Sequence, residues 1–404
     1  MNPNKIILAC LIASFAISAA AKDVTISVRN TTAEQRQQLV EIDGKALREA
    51  MNITAGHPVI VRNAFGQEVP SQQTYDGKLL FEAAARPGTA TSFTVCEGTP
   101  SSYKVFATGA CYPQRLDDVA WENDRCAYRV YGPALQARGE RSFGIDVWSK
   151  CTSDMVVEKR YQQDCYGNAV REVYNRRGLT AQHDSVLHAY SFHFDRGEGL
   201  DAYAVGPSLG CGAPALVFDS RLVMPYCYKD YEILDNGPLR FTVRLTFPAV
   251  AVGRDKAVVE HRIISLDKGS NFNRCELWYD GLSRETNVAA GVVVHKADTE
   301  SLVMDADKVL YADPTDRPDK LGTQVFVGVL FPDGHADSRL MPSDEGGDIV
   351  ENAVGIVPYK SGQHLVYYFG SAWSGYDVRT FAEWQARAES HLVSLRHPFE
   401  ITIK

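Results

Sequence analysis

The chain has 404 residues, 45% of them hydrophobic and 23% charged, with nine cysteines and a formal net charge of −8. That length and apolar content suffice for a large buried core, and the acidic balance excludes a broad basic surface for nucleic acid. An anionic ligand would have to find a local cluster of arginines.

Lys5, the apolar run from Ile6 to Ile17 and the small residues Ala19-Ala20-Ala21 read as a secretory signal peptide over residues 1–21. The mature chain then starts near Lys22 with a net charge of −9, since Lys5 is removed. Cys10 lies inside the apolar run rather than after it, which disfavours the alternative of a lipoprotein. Export predicts a secreted, periplasmic protein. No later run reaches the roughly 18 apolar residues that cross a bilayer, so no transmembrane segment is expected. Eight cysteines remain: Cys96, Cys111, Cys126, Cys151, Cys165, Cys211, Cys227 and Cys275. An even number in an exported chain predicts disulfides, with Cys96–Cys111 and Cys151–Cys165 plausible on sequence distance. No Cys-x-x-Cys spacing occurs, against a zinc ribbon or a thioredoxin-like site.

Along the mature chain, Val24, Ile26 and Val28 alternate with polar residues. Val59 to Arg62 is a strand-like run, followed by Asn63-Ala-Phe-Gly66 and the turn pair Asp76-Gly77. Residues 22–110 are read as an N-terminal β subdomain. Residues 111–404 are read as a β-supersandwich carrying the site, packed as one unit with the first. The clearest hairpin runs from Tyr231 through Asp235-Asn-Gly237 into a strand where Leu239, Phe241, Val243, Leu245 and Phe247 alternate with Arg240, Thr242, Arg244 and Thr246. Both arginines then share its polar face. Further strands are expected at Val258–Leu266, Gly291–His295, Gln324–Phe331 and His364–Phe369, each ended by Gly, Asp or Pro signals. This succession predicts a mainly β fold, a large antiparallel β-sandwich with few helices, rather than βαβ units. One helix is expected after the capping box Thr380-Phe-Ala-Glu383, with Phe381, Trp384, Ala388 and Leu392 on one face, packed on the sandwich as a lid.

The segment from Ser191 to Gly210 concentrates His193, Asp195, Arg196, Glu198, Asp201 and Tyr203 between glycines that let backbone approach a ligand. With it stand Trp121-Glu-Asn-Asp-Arg-Cys-Ala-Tyr-Arg-Val-Tyr-Gly-Pro133, Gly144-Ile-Asp-Val-Trp148 and Tyr367-Tyr-Phe-Gly-Ser-Ala-Trp373. Over the whole mature chain these four motifs resemble a family of exported proteins first labelled as a domain of unknown function. Its members are encoded mainly in bacterial polysaccharide-utilisation clusters. Some are oligosaccharide dehydratases of ulvan breakdown, which remove water from a terminal uronic acid to leave a 4,5-unsaturated sugar. The stretch from Tyr228 to Asn273 resembles, more weakly, the supersandwich domains of polysaccharide lyases and sugar mutarotases.

The resemblance implies an acidic oligosaccharide as substrate and three chemical roles. A base takes the C5 proton, cationic or hydrogen-bonding groups neutralise the carboxylate, and an acid protonates the departing hydroxyl. His193 is the candidate base, because neutral imidazole suits that task; the alternative is a structural histidine held by Asp195 or backbone. Tyr203 is the candidate acid, with Tyr128 as its substitute, although most tyrosines in such folds pack with the hydroxyl satisfied. Asn123 and Arg125 of the Asn-Asp-Arg motif, and Arg244, are candidates for the carboxylate; ion pairs with Asp124 or Glu198 compete with that role. Glu198 and Asp201 complete the polar wall. His295 and Trp373 extend the sugar-binding surface, since an aromatic face can stack on a pyranose. No cofactor is required; a divalent cation on His193, Asp195, Glu198 and Asp201 is the alternative. Arg196 and Ala204 depart from the family pattern, where a second histidine and a lysine are common, which bears on substrate identity. Polysaccharide lyase, mutarotase-like enzyme and noncatalytic glycan-binding protein are the competing functions.

Overall fold

A computed structural model of the chain describes residues 22–295, 300–314, 323–342 and 351–404. The expected signal peptide and Cys10 lie outside them. Val24, Ile26 and Val28 are all buried in the strand Val24–Arg29, which pairs antiparallel with Ala90–Glu97 on one side and Glu400–Ile403 on the other. A second sheet of Arg36–Ile42, Leu79–Ala85 and Ser71–Gln73 faces it. Val40, Leu47, Val61, Phe81 and Val95 fill the space between. The boundary expected at residue 110 falls inside the strand Ala107–Tyr112, which pairs with Asp118–Asn123 in the next unit. The first unit in turn takes in residues 400–403.

The second unit is a two-layered sandwich. One layer is an antiparallel sheet whose ladder runs Asp230–Gly237, Arg240–Thr246, Asp255–Asp267, Phe272–Asp280, Leu365–Trp373, Val325–Leu330, Lys308–Asp313 and Leu302–Asp305. The opposing layer joins a five-stranded sheet (Arg221–Val223, Cys211–Phe218, Thr286–Val294, Glu351–Tyr359, Asp337–Pro342) to a four-stranded one (Ile145–Trp148, Ala127–Val130, Asp118–Asn123, Ala107–Tyr112). A parallel bridge between Ile145 and Gly210 links these two. Between the layers Trp121 stacks on Phe241 at 6.2 Å and Tyr128 meets Phe369 edge-on at 5.7 Å. The fold is the mainly β, antiparallel sandwich that the alternating pattern predicts.

Leu239, Phe241, Val243, Leu245 and Phe247 are buried as the alternation requires, but their hairpin turns at Pro238-Leu239, with Gly237 paired to Arg240. Asp235 and Asn236 belong to the strand instead. The Asp235 carboxylate accepts from Tyr75 N at 2.7 Å and Asn236 donates to the Gly109 carbonyl at 3.0 Å. The helix Phe381–Arg396 forms where the capping box places it, with Thr380 Oγ1 accepting from Glu383 N at 3.2 Å. Trp384, Ala388 and Leu392 pack on Phe272, Leu310 and Phe326, on the outer face of the longer sheet.

Two elements depart from the sequence reading. Helices Val157–Arg176 and Thr180–Tyr190 are largely polar, with no sustained apolar period to announce them. Val157 and Tyr161 anchor the first onto Trp148, Ala127 and Phe192, on the outer face of the four-stranded sheet. The disulfide expectation is also corrected: all eight cysteines carry free thiols. Cys126, Cys211, Cys227 and Cys275 are buried as small apolar residues, and burial pushes the thiols of Cys126 up to about 12 and of Cys275 up to about 11. Among the described residues no helix is long and apolar enough to cross a membrane.

Candidate functional site

The ionisable groups of the Ser191–Gly210 segment divide between two faces of one sheet. Along Ala127–Val130, Tyr128 and Val130 enter the sandwich core while Ala127 packs on the helical side. Arg129 faces that helical side too, and is buried among three carboxylates. Nε lies 2.8 Å from Asp146 Oδ2, Nη1 3.3 Å from Asp118 Oδ2 and Nη2 3.2 Å from Asp201 Oδ2. Trp148 Nε1 and the Tyr161 hydroxyl donate to Asp146 and Asp118 at 3.3 and 3.1 Å. One guanidinium cannot neutralise three carboxylates. Burial, with Asp201 beside it, pushes Asp146 up to about 7, and burial pushes Asp201 up to about 6.

The rest of that segment closes the helical side. Asp195 Oδ1 accepts from Gly197 N and Gly199 N, both at 2.9 Å. Glu198 pairs with Lys159, and Arg196 donates to the Ser191 carbonyl at 2.6 Å. Gly199, at φ 98°, lies so close to Ser149 that a Cβ would run into its carbonyl. The glycine therefore serves contact between backbones. His193 is exposed, its side chain at 59%, with Nδ1 2.9 Å from the Asp201 carbonyl. Asp195, Glu198 and Asp201 thus turn to different partners, and His193 stays beside Asp201.

Beyond Asp201 the chain passes into the sandwich, and there Tyr203 meets His295. Their rings are perpendicular with centroids 6.3 Å apart. The segment is held in place by Leu209 N on Asn352 Oδ1 at 3.0 Å and by Val293 N on the Gly210 carbonyl at 2.9 Å. His295 follows the strand Thr286–Val294, and its Nδ1 is 2.7 Å from Oδ2 of the fully buried Asp313. A carboxylate can only accept from that ring, so Nδ1 carries a proton and, in the neutral ring, Nε2 carries the lone pair. Nε2 of His295 and the Tyr203 hydroxyl are both buried and have no hydrogen-bond partner among the described residues. Burial holds the Tyr203 phenol well above its usual range, so it is a protonated donor at neutral pH. Asp313, Val325 and Trp373 are cross-strand partners. Their side chains therefore line one face, the core side, about 10 Å from first to last. Residues 296–299 and 315–322, which follow His295 and Asp313, lie outside the described residues.

This corner brings together Tyr203 and His295 from the sequence reading and adds Asp313, while Trp373 lies two strands away on the same face. The chain offered little signal for Asp313, a lone acidic residue at a strand end. Its partner is set by the packing of one sheet on the other. Asp146 sat in the Gly144–Trp148 motif as a charge within an apolar strand, which is such a signal.

Other expected site residues lie apart from this corner and bond within the fold. The Tyr128 hydroxyl donates to the Asn271 carbonyl at 2.8 Å and accepts from Ser371 N at 2.9 Å, so it has no proton to spare. Asn123 donates to the carbonyls of Asp267 and Ser270 at 2.6 and 2.7 Å and accepts from Arg125 N and Cys126 N, tying two hairpins together. Arg244 pairs with Glu232 at 2.6 Å across its own hairpin. Arg125 pairs with Asp377, rather than with Asp124 or Glu198, and lines a cleft on the outer face of the longer sheet.

Comparison with known proteins adds the following. The family described as "Domain of unknown function (DUF4861)" matches residues 28–401. A relative from Formosa agariphila, described as "Uncharacterized protein P7", is 27% identical over 341 residues, covering 81% of this chain and 78% of its own. Two solved structures from Enterococcus faecalis, an alpha-mannosidase and a protein in glycosyl hydrolase family 38, align with TM-score 0.47 and 9% identity. Each alignment covers 95% of this chain but only 46% and 47% of theirs, so the chain spans about half the length of the solved structures it matches.

Proposed function

We propose that this chain, which belongs to the DUF4861 family, is a carbohydrate-active enzyme that dehydrates a terminal uronic acid of an oligosaccharide to a 4,5-unsaturated uronate. In this reading His295 is the base and Tyr203 the acid. One observation carries it: a histidine oriented by a buried carboxylate, and a tyrosine beside it, each keep a buried polar atom without a partner. An unmade hydrogen bond at a buried group costs about 1–3 kcal/mol, a cost that pure packing gives no reason to bear twice in one corner.

The step follows from those two atoms. Nε2 of His295 takes the C5 proton, and the electron pair of the C5–H bond becomes the C4–C5 double bond. The C4–O bond breaks with its pair on oxygen, which takes the Tyr203 proton and leaves as water. Proton return from His295 to Tyr203 through solvent resets both. Asp313 steadies the imidazolium that forms, as a buried carboxylate behind a catalytic histidine does. Trp373, on the same face as Asp313, supplies an apolar wall for the sugar ring. The polysaccharide-utilisation setting and export through the leader at residues 1–21 belong to the same proposal.

The test is incubation of the mature protein with uronate-ended oligosaccharides, following absorbance of a conjugated double bond and the masses of the products. A mass loss equal to one water is expected. Chain cleavage at the new double bond would assign a polysaccharide lyase instead, and unchanged sugars across the panel would overturn the enzymatic reading.

A further inference from the structure

A cleft of about 730 Å³ lies between the N-terminal unit and the outer face of the longer sheet, on the opposite side of that sheet from Asp313 and Trp373. Ser265, Arg274 and Tyr368 form its floor in cross-strand register. Strand Arg36–Ile42 and helix Phe381–Arg396 supply its walls. The lining is rich in amides, hydroxyls and guanidiniums.

Most cations in it are neutralised. Arg240 is held by Asp267 at 2.5 and 2.8 Å and by Glu41 at 2.7 Å. Lys268 pairs with Glu82 at 2.7 Å and Arg274 with Glu276 at 2.9 Å. Arg125 and Arg387 differ: they share the single carboxylate of Asp377, which lies 3.5 Å from Arg387 Nη1. Among the described residues neither has a second carboxylate partner. The other bond of Arg387 is to a neutral amide, Asn271 Oδ1 at 2.8 Å, and Arg125 Nε is buried with no acceptor. Asp124, also in the lining, is turned to Gly269 N at 2.7 Å. Two guanidiniums thus share one carboxylate, and the Arg125 Nε–H is left to take a further acceptor oxygen, while the carboxylate of Asp124 stands in the same lining. Burial and the neighbouring Arg125 act against the charge on Arg387, while Asp377 and Glu383 favour it; a bound anion would offset the repulsion from Arg125.

We propose that this cleft binds an anionic oligosaccharide, with Arg125 and Arg387 taking a carboxylate or sulfate ester and Ser390 and Tyr368 meeting the sugar rings. Guanidinium forks match both anions. A volume in the range of organic-ligand pockets suits several sugar units better than an inorganic ion. The site stands apart from the chemistry at His295 and holds whatever reaction occurs there.

Calorimetric titration tests it with three tetrasaccharides: an oligogalacturonide bearing carboxylates, a chondroitin sulfate fragment bearing carboxylates and sulfates, and neutral cellotetraose. At least one anionic probe is expected to bind, more weakly as salt rises, while cellotetraose does not. Tighter binding of the sulfated probe assigns the guanidiniums to a sulfate ester, and the reverse order to a carboxylate. Arg387→Gln should weaken binding at least tenfold, whereas His295→Ala should leave it within twofold, which separates this site from the proposed catalytic corner. If Arg387→Gln proves unstable, Arg387→Lys keeps the charge but loses the fork and should still weaken binding severalfold. Equal binding of cellotetraose, wild-type affinity in a folded Arg387→Gln protein, or no binding of either anionic probe overturns the proposal.

Discussion

His295 is bound to Asp313 through one ring nitrogen, at 2.7 Å, while its other nitrogen stays buried and unpartnered among the described residues. Cross-strand register sets Asp313 and Trp373 on one face, and Tyr203 approaches His295 from a different segment. Three separate stretches of chain, those of Tyr203, His295 and Asp313, thus meet at one buried corner.

Replacing His295 with Ala is expected to lower turnover by about 10²–10⁴-fold, the usual worth of a positioned general base, with the fold kept by circular dichroism. His193→Ala, on an exposed side chain, should leave turnover within about twofold and stability within about 0.5 kcal/mol. The opposite ranking of the two variants would return the base to His193.

Asp313→Asn probes a positioning residue. The loss should fall on kcat rather than KM, by about 10²–10⁴-fold as for a histidine left in the wrong tautomer, and the pH–rate profile should move. A uniform loss of stability with an unshifted profile would mark Asp313 as structural.

Tyr203→Phe separates function from packing by sign. The hydroxyl is buried without a partner, so its removal should leave stability unchanged or raise it by up to about 1–2 kcal/mol, while activity falls. A destabilised but active variant would show that the hydroxyl serves the fold.

Asp146 and Asp201 are pushed up by burial in the folded protein. Folded-state pKa values above the unfolded ones mean that their contribution to stability is fully present below about pH 4 and is lost as pH rises through about 6 to 7. Asp146→Asn removes the share that belongs to Asp146. Its melting temperature, compared with wild type at pH 4.5, 6 and 8, should therefore gain on wild type as pH rises, by several degrees on the order expected for a few kcal/mol. A difference that does not change with pH would contradict the crowded-carboxylate account.

Arg129→Met strands Asp118, Asp146 and Asp201 without their shared cation. Removing one partner of a buried ionic group costs about 3–5 kcal/mol, so denaturant melts at pH 7 should show a loss of that order. The loss should shrink at pH 4.5, where protonated carboxylates no longer need the guanidinium.

The architecture was legible because strand alternation is a local property. Val24, Ile26 and Val28, or Leu239 through Phe247, declare their buried face without reference to any distant residue, and Thr380 with Glu383 declares a helix start in the same way. Helices Val157–Arg176 and Thr180–Tyr190 were not legible, because polar helices fold here against a particular surface, Trp148 and Phe192, which the local sequence does not describe. The even cysteine count predicted disulfides for a similar reason: parity is visible in a sequence, whereas proximity is not.

The sequence by itself determined the mainly β fold and the faces of its strands, since these follow from periodicity and residue chemistry. Only the tertiary structure decided which residues meet. His193 and Tyr203 are ten positions apart in the chain, yet the sheet of Ala127–Val130 separates the exposed imidazole and its buried carboxylates from the corner where Tyr203 meets His295. Asp313 lies 18 positions beyond His295 and touches it because two sheets pack face to face. Register and packing, not spacing along the chain, bring His295 to its carboxylate.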